Sequence, residues 1–246
     1  MQLLLPPSET KRDGGRDDAA LDLAKLSFPE LARQRRATLA ALRTVSRTIS
    51  ASYAALGLGP TQRFEIDRNR AISTSPLMPA IERYTGVLYD GLDAAGLPPA
   101  ARAFCDAHVL VQSALFGLIR ASDPIPAYRL SHDSKLPGLS LRRHWRAPSS
   151  AVLADLPGLL LDLRSESYAT LGDLPEGAWY IRVVSETAGG RRVALSHFNK
   201  TAKGEFVRAV CLAGIDHDSV ESLLDWAALS GIRLERGAPG ELELLV

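Results

Sequence analysis

Cationic side chains that could bind an anion stand just beyond the ends of predicted strands or helices. They are Lys11, Arg120, Arg129, Lys200 and Lys203. Ligands of α/β proteins gather at strand ends, and a helix N-terminus presents amide groups that attract anions. Lys200, Thr201 and Lys203 open a predicted helix, where each cation opposes the helix dipole by roughly 0.3–1 kcal/mol unless an anion lies near. These residues fit both a phosphate site and a solvated basic turn.

A second candidate site lies on a loop that two prolines, at positions 124 and 126, hold extended. Asp123, Tyr128 and Arg129 flank this loop. Prolines reduce the freedom of a loop before any ligand arrives, which suits a positioned site. The alternative is a rigid connector, in which Arg129 pairs with an acid such as Asp162 or Glu166.

Polar residues also follow the continuous apolar run at 158–163, which is typical of a strand covered on both faces. Ser165 at such a strand end could be a nucleophile, and Glu166 a general base. Because the chain has no Gly-x-Ser-x-Gly elbow, a hydrolase triad is disfavoured. The catalytic candidates are therefore Glu166, Tyr168 and Asp123, and whether the protein is an enzyme stays open.

The histidines and cysteines predict no metal and no cofactor. His132 beside Asp133, or His217 between two aspartates, could bind a metal, but surface or capping roles fit them better. The other histidines complete no metal-binding spacing: His108, His144 and His197. Cys105 and Cys211 lie in apolar, helix-like surroundings without a CxxC motif, which indicates buried thiols rather than a redox pair.

Composition limits the possible partners. The 246 residues include 29 basic and 28 acidic side chains, for a net charge of +1. That balance gives no global attraction to nucleic acid, so DNA binding would need a local patch. No apolar run approaches the roughly 20 residues that span a bilayer, and the start of the chain lacks a signal peptide. We expect a cytoplasmic protein without a membrane partner, folded as a single domain over 1–246, although two closely packed lobes also fit this length.

Apolar periodicity predicts a mixed α/β (α+β) fold. The predicted strands are 3–5, 158–163, 178–185, 192–198, 232–235 and 241–245. The predicted helices are 28–56 (one or two), 78–92, 98–119, 145–156, 200–212 and 219–229. Gly189-Gly190 predicts a hairpin, and 237–240 predicts another at the C-terminus, which together exclude a purely parallel sheet.

Five segments of the chain carry distinctive motifs. The first is Leu-Pro-Pro-Ser-Glu-Thr-Lys at 5–11, and the second is Tyr-Asp-Gly-Leu at 89–92. Leu-Phe-Gly-Leu-Ile-Arg at 115–120, with Asp123 and Tyr-Arg-Leu at 128–130, is the longest block. The last two are Asp-Leu-Arg-Ser-Glu-Ser-Tyr at 162–168 and His-Phe-Asn-Lys-Thr-Ala-Lys-Gly at 197–204. In this order they resemble the motifs of the YaaA family of bacterial peroxide stress proteins, which include Tyr-x-Gly-Leu, Ser-x-x-Tyr and Lys-x-x-basic-Gly.

The chain also departs from the family. Thr-Gly-Val-Leu at 85–88 stands where many members have Lys-Gly-Asp-Val, so a role for that Lys and Asp does not carry over unless Arg83 or Tyr84 substitutes. The N-terminal Lys is displaced by one or two residues.

The resemblance implies a family-specific fold with a positively charged cleft and a helix-hairpin-helix-like element, for which 115–118 is the candidate here. It implies DNA binding and protection against peroxide by keeping unincorporated iron low. The proposed DNA groove comprises Arg129, Arg142, Arg143, Arg146, Lys200 and Lys203. The residues expected to contact ligand or DNA are Lys11, Tyr89, Arg120, Asp123, Tyr128, Arg129, Ser165, Glu166, Lys200, Thr201 and Lys203.

Two further functions remain open. The protein could be an enzyme acting on a nucleotide or another small anionic ligand, in which case the motifs should converge on one pocket. It could instead be an interaction protein without catalysis, in which case the motif residues should be scattered over the fold.

Overall fold

A computed structural model describes residues 1–186, 192–194 and 199–246. Its strands are β1 Gln2–Leu5, β2 Met78–Pro79, β3 Val109–Ser113, β4 Gly117–Arg120, β5 Pro124–Ile125, β6 Leu160–Asp162, β7 Trp179–Glu186, β8 Arg192–Ala194, β9 Leu234–Arg236 and β10 Glu241–Leu245. Its helices are α1 Ala32–Ser46, α2 Ile49–Leu56, α3 Arg63–Arg70, α4 Ala80–Arg83, α5 Val87–Leu92, α6 Pro99–His108, α7 Leu141–Ala154, α8 Glu166–Ala169, α9 Asn199–Ala213 and α10 Val220–Leu229.

Eight of the described strands form a mixed sheet in the order β4-β3-β1-β6-β7-β10-β9, with β8 paired to β7, and β2 pairs with β5 in a separate two-stranded sheet. The inner strands β3, β1, β6, β7 and β10 are parallel, whereas β4, β8 and β9 pair antiparallel with their neighbours. The mixed α/β class and the C-terminal hairpin of β9 and β10 are therefore confirmed. The predicted Gly189-Gly190 turn lies outside the described residues.

Burial explains why the central strands form where they do. All four residues of β1, all five of β3 and all three of β6 are buried. A strand that is covered on both faces has a continuous apolar sequence, and both 3–5 and 158–163 have such a sequence. None of the described helices combines the length and apolar character needed to cross a membrane.

The predicted helix at 98–119 is wrong beyond His108. Val109–Ser113 is the buried strand β3, which pairs parallel with β1 through Leu3 and Val109. Apolar periodicity alone does not separate a buried helix from a buried strand, and the β-branched pair at 109 and 111 favours the strand.

The helix-hairpin-helix prediction for 115–118 is also wrong, because this segment joins β3 to β4 in a β-hairpin. The amide groups of Leu115 and Phe116 donate to Ser113 Oγ at 3.1 and 3.0 Å. Both side chains are fully buried. These amides are therefore already paired inside the protein and do not face a phosphate.

Two other regions differ from the sequence-based expectation. The predicted helix at 78–92 is interrupted between α4 and α5, where Gly86 has a φ of 99° that favours glycine. Helix α3 was not predicted, since its charged residues at Arg63–Arg70 carry little apolar periodicity.

Two glycines of the family-like motifs bring α5 and α9 into close contact. A Cβ atom on Gly204 of α9 would clash with the carbonyl oxygen of Leu88, and one on Gly91 would lie 2.9 Å from the carbonyl oxygen of Thr201. The glycines in Tyr-Asp-Gly-Leu and in Lys-Thr-Ala-Lys-Gly therefore serve helix packing. This packing holds the N-terminal half of α9 against the residues that follow Gly86.

We predict that Gly204→Ala destabilises the protein. In an open helix interior, Gly→Ala stabilises by about 0.5–1 kcal/mol. Here the methyl group overpacks the α5–α9 contact, which typically costs about 1–3 kcal/mol. Urea denaturation measures the free energy of unfolding, and Leu212→Ala on the exposed side of α9 should change it by less than about 0.5 kcal/mol. A stabilised Gly204→Ala variant would contradict this packing.

Candidate functional site

A cavity of about 420 Å³ lies at the carboxyl ends of β1 and β6. These strands are neighbours in the sheet. The next strand of the sheet after β1 is β3, on one side of the pair, and the next after β6 is β7, on the other side. Ligands of open α/β sheets bind at such a switch point, in cavities of roughly 300–1,000 Å³. Its lining residues are Pro6, Pro7, Ser8, Glu9, Thr85, Gly86, Val87, Leu88, Tyr89, His132, Ser165, Ser167, Tyr168 and Lys200.

Several motif residues meet in this cavity. Tyr89 comes from α5, Ser165 and Tyr168 from the segment after β6, and Lys200 from α9. The hydroxyl group of Tyr89 donates to the carbonyl oxygen of Pro6 at 2.8 Å, which ties α5 to the segment after β1. The ring of Tyr168 packs edge-on against His132, with 5.0 Å between centroids.

Lys11 lies behind the wall that follows β1. Its side chain is 5% exposed, and Nζ donates to the carbonyl oxygen of Glu9 at 3.2 Å and lies 4.3 Å from the ring centroid of Tyr128. Burial lowers the pKa of Lys11 to about 7, because desolvation disfavours the charged amine.

Arg129 does not line the cavity itself but pairs with Glu9, which does. Its guanidinium Nη1 pairs with Glu9 Oε2 at 3.1 Å, and its backbone exchanges two hydrogen bonds with Asn69 at 2.8 and 2.9 Å. The rigid-connector alternative named Asp162 or Glu166 as the partner. Asp162 pairs with Arg164 and Glu166 with Arg182 instead.

A buried hydroxyl chain passes from Ser113 to Tyr128 and on to Tyr84, with 2.7 Å at each step. Ser113 Oγ already accepts two amide hydrogens, so it donates to Tyr128 and Tyr128 donates to Tyr84. Burial raises the pKa of Tyr84 to about 12, which keeps this hydroxyl protonated. The Tyr84 proton ends the chain without an acceptor in the described residues.

Lys203 supports the cavity wall that follows β6 and does not itself line the cavity. It is 3% exposed, and its Nζ donates to the carbonyl oxygens of Leu163 and Arg164 at 3.0 and 3.3 Å. Burial lowers the pKa of Lys203 to about 8. The amine thus holds the turn from which Ser165 enters the cavity.

Arg120 and Asp123 lie at the other edge of the sheet. Arg120 is paired in register with Leu110, at the start of β3, and donates to the carbonyl oxygen of Ala107 at 2.6 Å. Asp123 accepts from the amide groups of Ser27 and Arg120 at 3.0 and 3.1 Å, which fixes the loop. This corrects the expectation that all the motif cations gather in one hollow.

The remaining candidates flank the cavity without lining it. The Glu166 side chain is 81% exposed and lies 3.6 Å from Arg182, and the Thr201 backbone packs against Gly91. Tyr128 is fully buried in the hydroxyl chain.

Sequence reasoning missed Glu9, Ser113 and the placement of His132 in the cavity wall. Glu9 lies inside the first motif, so its position after β1 was a usable signal. Ser113 was hidden because its segment was predicted to be helical. His132 is far from every strand end in sequence, and only the folded loop brings it to the cavity.

The cations of the predicted DNA groove do not form one track. Lys203 is buried, Arg129 pairs with Glu9, and Arg146 Nε pairs with Asp173 at 2.8 Å. A different surface of arginines lies on α1 and α7. A contact of 3.1 Å between His144 Nε2 on α7 and the carbonyl oxygen of Gln34 on α1 joins these two helices. The exposed members of this surface are Arg33, Arg36, Arg43, Arg47, Arg142 and Arg143. Within the described part of the chain, none of these six pairs with a carboxylate.

We predict that Lys11→Met flattens the dependence of stability on pH. The folded pKa values of Lys11 and Lys203, about 7 and about 8, lie below the ordinary value of 10.5. Between these values the unfolded state binds more protons, so the free energy of unfolding of the unaltered protein rises from about pH 7 to about pH 9. Removing the Lys11 amine removes its share of this rise.

Urea denaturation at pH values across this window measures the effect. Lys25→Met, at an exposed lysine, serves as the control and should keep the original slope. A Lys11→Met variant with that same slope would show that the Lys11 amine is not desolvated.

Comparison with known proteins gives a consistent family assignment. Residues 1–235 match the family model described as peroxide stress protein YaaA. A UPF0246 protein of Corynebacterium glutamicum (strain R) is 41% identical over 250 residues, covering 100% of this chain and 98% of that protein. A UPF0246 protein of Streptomyces coelicolor is 39% identical over 249 residues, covering 98% and 94%. This chain therefore belongs to the YaaA family of peroxide stress proteins.

Proposed function

We propose that this protein acts in peroxide stress by binding a small anionic ligand of the nucleotide class in the cavity between β1 and β6, as an enzyme acting on it. The supporting observation is that Tyr89, Ser165, Tyr168 and Lys200, from three separate motif segments, line the same cavity. A protein that only displayed these motifs for interaction would not need to gather them at a sheet switch point.

The lining suits such a ligand chemically. Lys200 is exposed at the cavity and places a mobile positive charge where a phosphate or carboxylate would lie. Ser8, Thr85 and Ser165 offer hydroxyl groups that both donate and accept. Glu9 adds a carboxylate that accepts from sugar hydroxyls, while Arg129 orients it through a contact of 3.1 Å.

Ligand-dependent thermal unfolding tests this proposal. A nucleoside monophosphate or diphosphate at 100 times its Kd should stabilise the protein by about 2.7 kcal/mol. Lys200→Gln should weaken this stabilisation most, because it removes the cation of the cavity, and Ser165→Ala should weaken it less. Arg142→Gln, on the distant arginine surface, should leave it unchanged.

The outcome that contradicts the proposal is a full set of nucleotides that produces no stabilisation. Equal stabilisation of Lys200→Gln and the unaltered protein would also contradict the assigned site, since the ligand would then bind elsewhere.

The arginine surface of α1 and α7 supports a second candidate function, the binding of duplex DNA by a cytoplasmic protein that limits iron-mediated damage. Arg33 to Arg43 span about 15 Å along α1 at 1.5 Å per residue, and Arg47 follows its last residue. Helix α1 carries no acidic residue, so its exposed face is uniformly positive. Such a face can neutralise several phosphates along one strand.

DNA binding by this surface should fall steeply with salt. Each lost phosphate contact reduces the slope of log affinity against log salt by about 0.9. The double variant Arg36→Gln/Arg43→Gln should therefore lower both the affinity and the slope in an anisotropy titration. Lys25→Gln is the control, and an absence of binding at low salt would exclude this function.

A further inference from the structure

Glu9 is the one carboxylate among the described residues that line the cavity between β1 and β6. Its side chain is 43% exposed, yet Oε2 is buried and lies 3.1 Å from Arg129 Nη1. The other oxygen, Oε1, is not buried and accepts no hydrogen bond in the part of the chain that the structure describes. One oxygen is thus held by the protein, and the other is open to a hydrogen-bond donor of a ligand.

Two contacts hold Glu9 in place before a ligand arrives. Its carbonyl oxygen accepts from Lys11 Nζ at 3.2 Å. Arg129, which orients the carboxylate, is itself fixed by two hydrogen bonds between its backbone and the Asn69 side chain, at 2.8 and 2.9 Å. An acceptor that is already positioned loses little freedom on binding, which favours a role in recognition.

The segment after β1 begins with two residues that cannot donate to a phosphate. Pro6 and Pro7 have no N–H group. Phosphate-binding loops of α/β proteins bind the anion through backbone amides at this place, directly after the first strand. The wall after β1 therefore suits an uncharged, hydroxyl-bearing part of the ligand, whereas Lys200 on α9 suits its phosphate.

We propose that Glu9 determines the specificity of the cavity: it accepts from the ribose hydroxyl groups of a nucleoside 5′-monophosphate and excludes nucleotides with a phosphate on those hydroxyls. This inference rests on the proposed nucleotide cavity and narrows its ligand to a ribonucleotide with a free 2′,3′-diol. In dinucleotide-binding folds a carboxylate likewise accepts from a ribose hydroxyl.

Charge explains the exclusion. A phosphate on the sugar would be placed against the accessible oxygen of Glu9, and like charges brought together are unfavourable. Arg129 does not offset this repulsion inside the cavity, because it contacts the buried oxygen and does not line the cavity. A deoxygenated sugar is also disfavoured, since it leaves the oriented carboxylate without a donor.

Isothermal titration of the full chain with three related nucleotides tests this inference. The first is the 5′-monophosphate of the base that binds most tightly, and the others are its 2′,3′-dideoxy form and its 3′,5′-bisphosphate. The dideoxy form should bind at least about tenfold more weakly, because hydrogen bonds to a charged acceptor contribute that much. The bisphosphate should also bind at least about tenfold more weakly, because of the like charge.

A matched pair of variants assigns the preference to Glu9. Glu9→Gln removes the charge and keeps the size of the side chain. Both affinity ratios should fall by at least about threefold, since a neutral amide is the weaker acceptor and does not repel a phosphate. Glu176→Gln, at an exposed glutamate that does not line this cavity, should keep both ratios. Circular dichroism shows whether each variant is folded, and the series on the unaltered protein needs no variant.

Equal binding of the three nucleotides by the unaltered protein would overturn the inference, as would a folded Glu9→Gln variant with the original ratios. The outcome also separates the two proposals. If the monophosphate binds and Lys200→Gln weakens it while the sugar makes no difference, the cavity stands and the role of Glu9 does not. If no nucleotide binds, the proposed function itself fails.

Discussion

The parallel pairing of β1 with β6 is the constraint on which the rest of the site depends. Both strands are fully buried, so their register is fixed by the core, and Leu3 lies opposite Leu161. Their carboxyl ends point the same way, and the chain departs from them in opposite directions. The space between the two departing segments is the cavity, and every candidate ligand contact is positioned by a segment that leaves one of these strands or packs on it.

Burial of charge is the second organising feature. Lys11 supports the wall after β1, and Lys203 supports the wall after β6, each through backbone carbonyl groups rather than carboxylates. Burying an ammonium group is unfavourable, and this desolvation lowers the pKa of both lysines. The same desolvation that makes these amines costly also makes them chemically versatile near neutral pH. The α5–α9 contact at Gly91 and Gly204 keeps the second of these lysines in place.

Sequence patterns predicted the parts of the fold that depend on local order. The buried runs of β1 and β6, the C-terminal hairpin and helices α9 and α10 follow from composition and periodicity alone. The β3 strand did not, because Val111 fits a helical stripe with Phe104, Leu115 and Leu118 as well as it fits a buried strand. Among the site candidates, Lys200, Ser165 and Tyr168 lie directly after strands or at a helix start. Arg120 also lies at the end of a strand. Because β4 runs antiparallel to β3, however, that end lies beside the start of β3, away from the cavity. A local sequence pattern does not reveal the direction of a strand in the sheet.

The location of bound ligand is the measurement that tests the central claim most directly. A crystal structure of the protein with a nucleoside monophosphate should show the phosphate beside Lys200 and the sugar between Glu9 and Ser165, at the carboxyl ends of β1 and β6. Density for the ligand on the arginine face of α1 and α7, with the cavity filled only by water, would contradict the account.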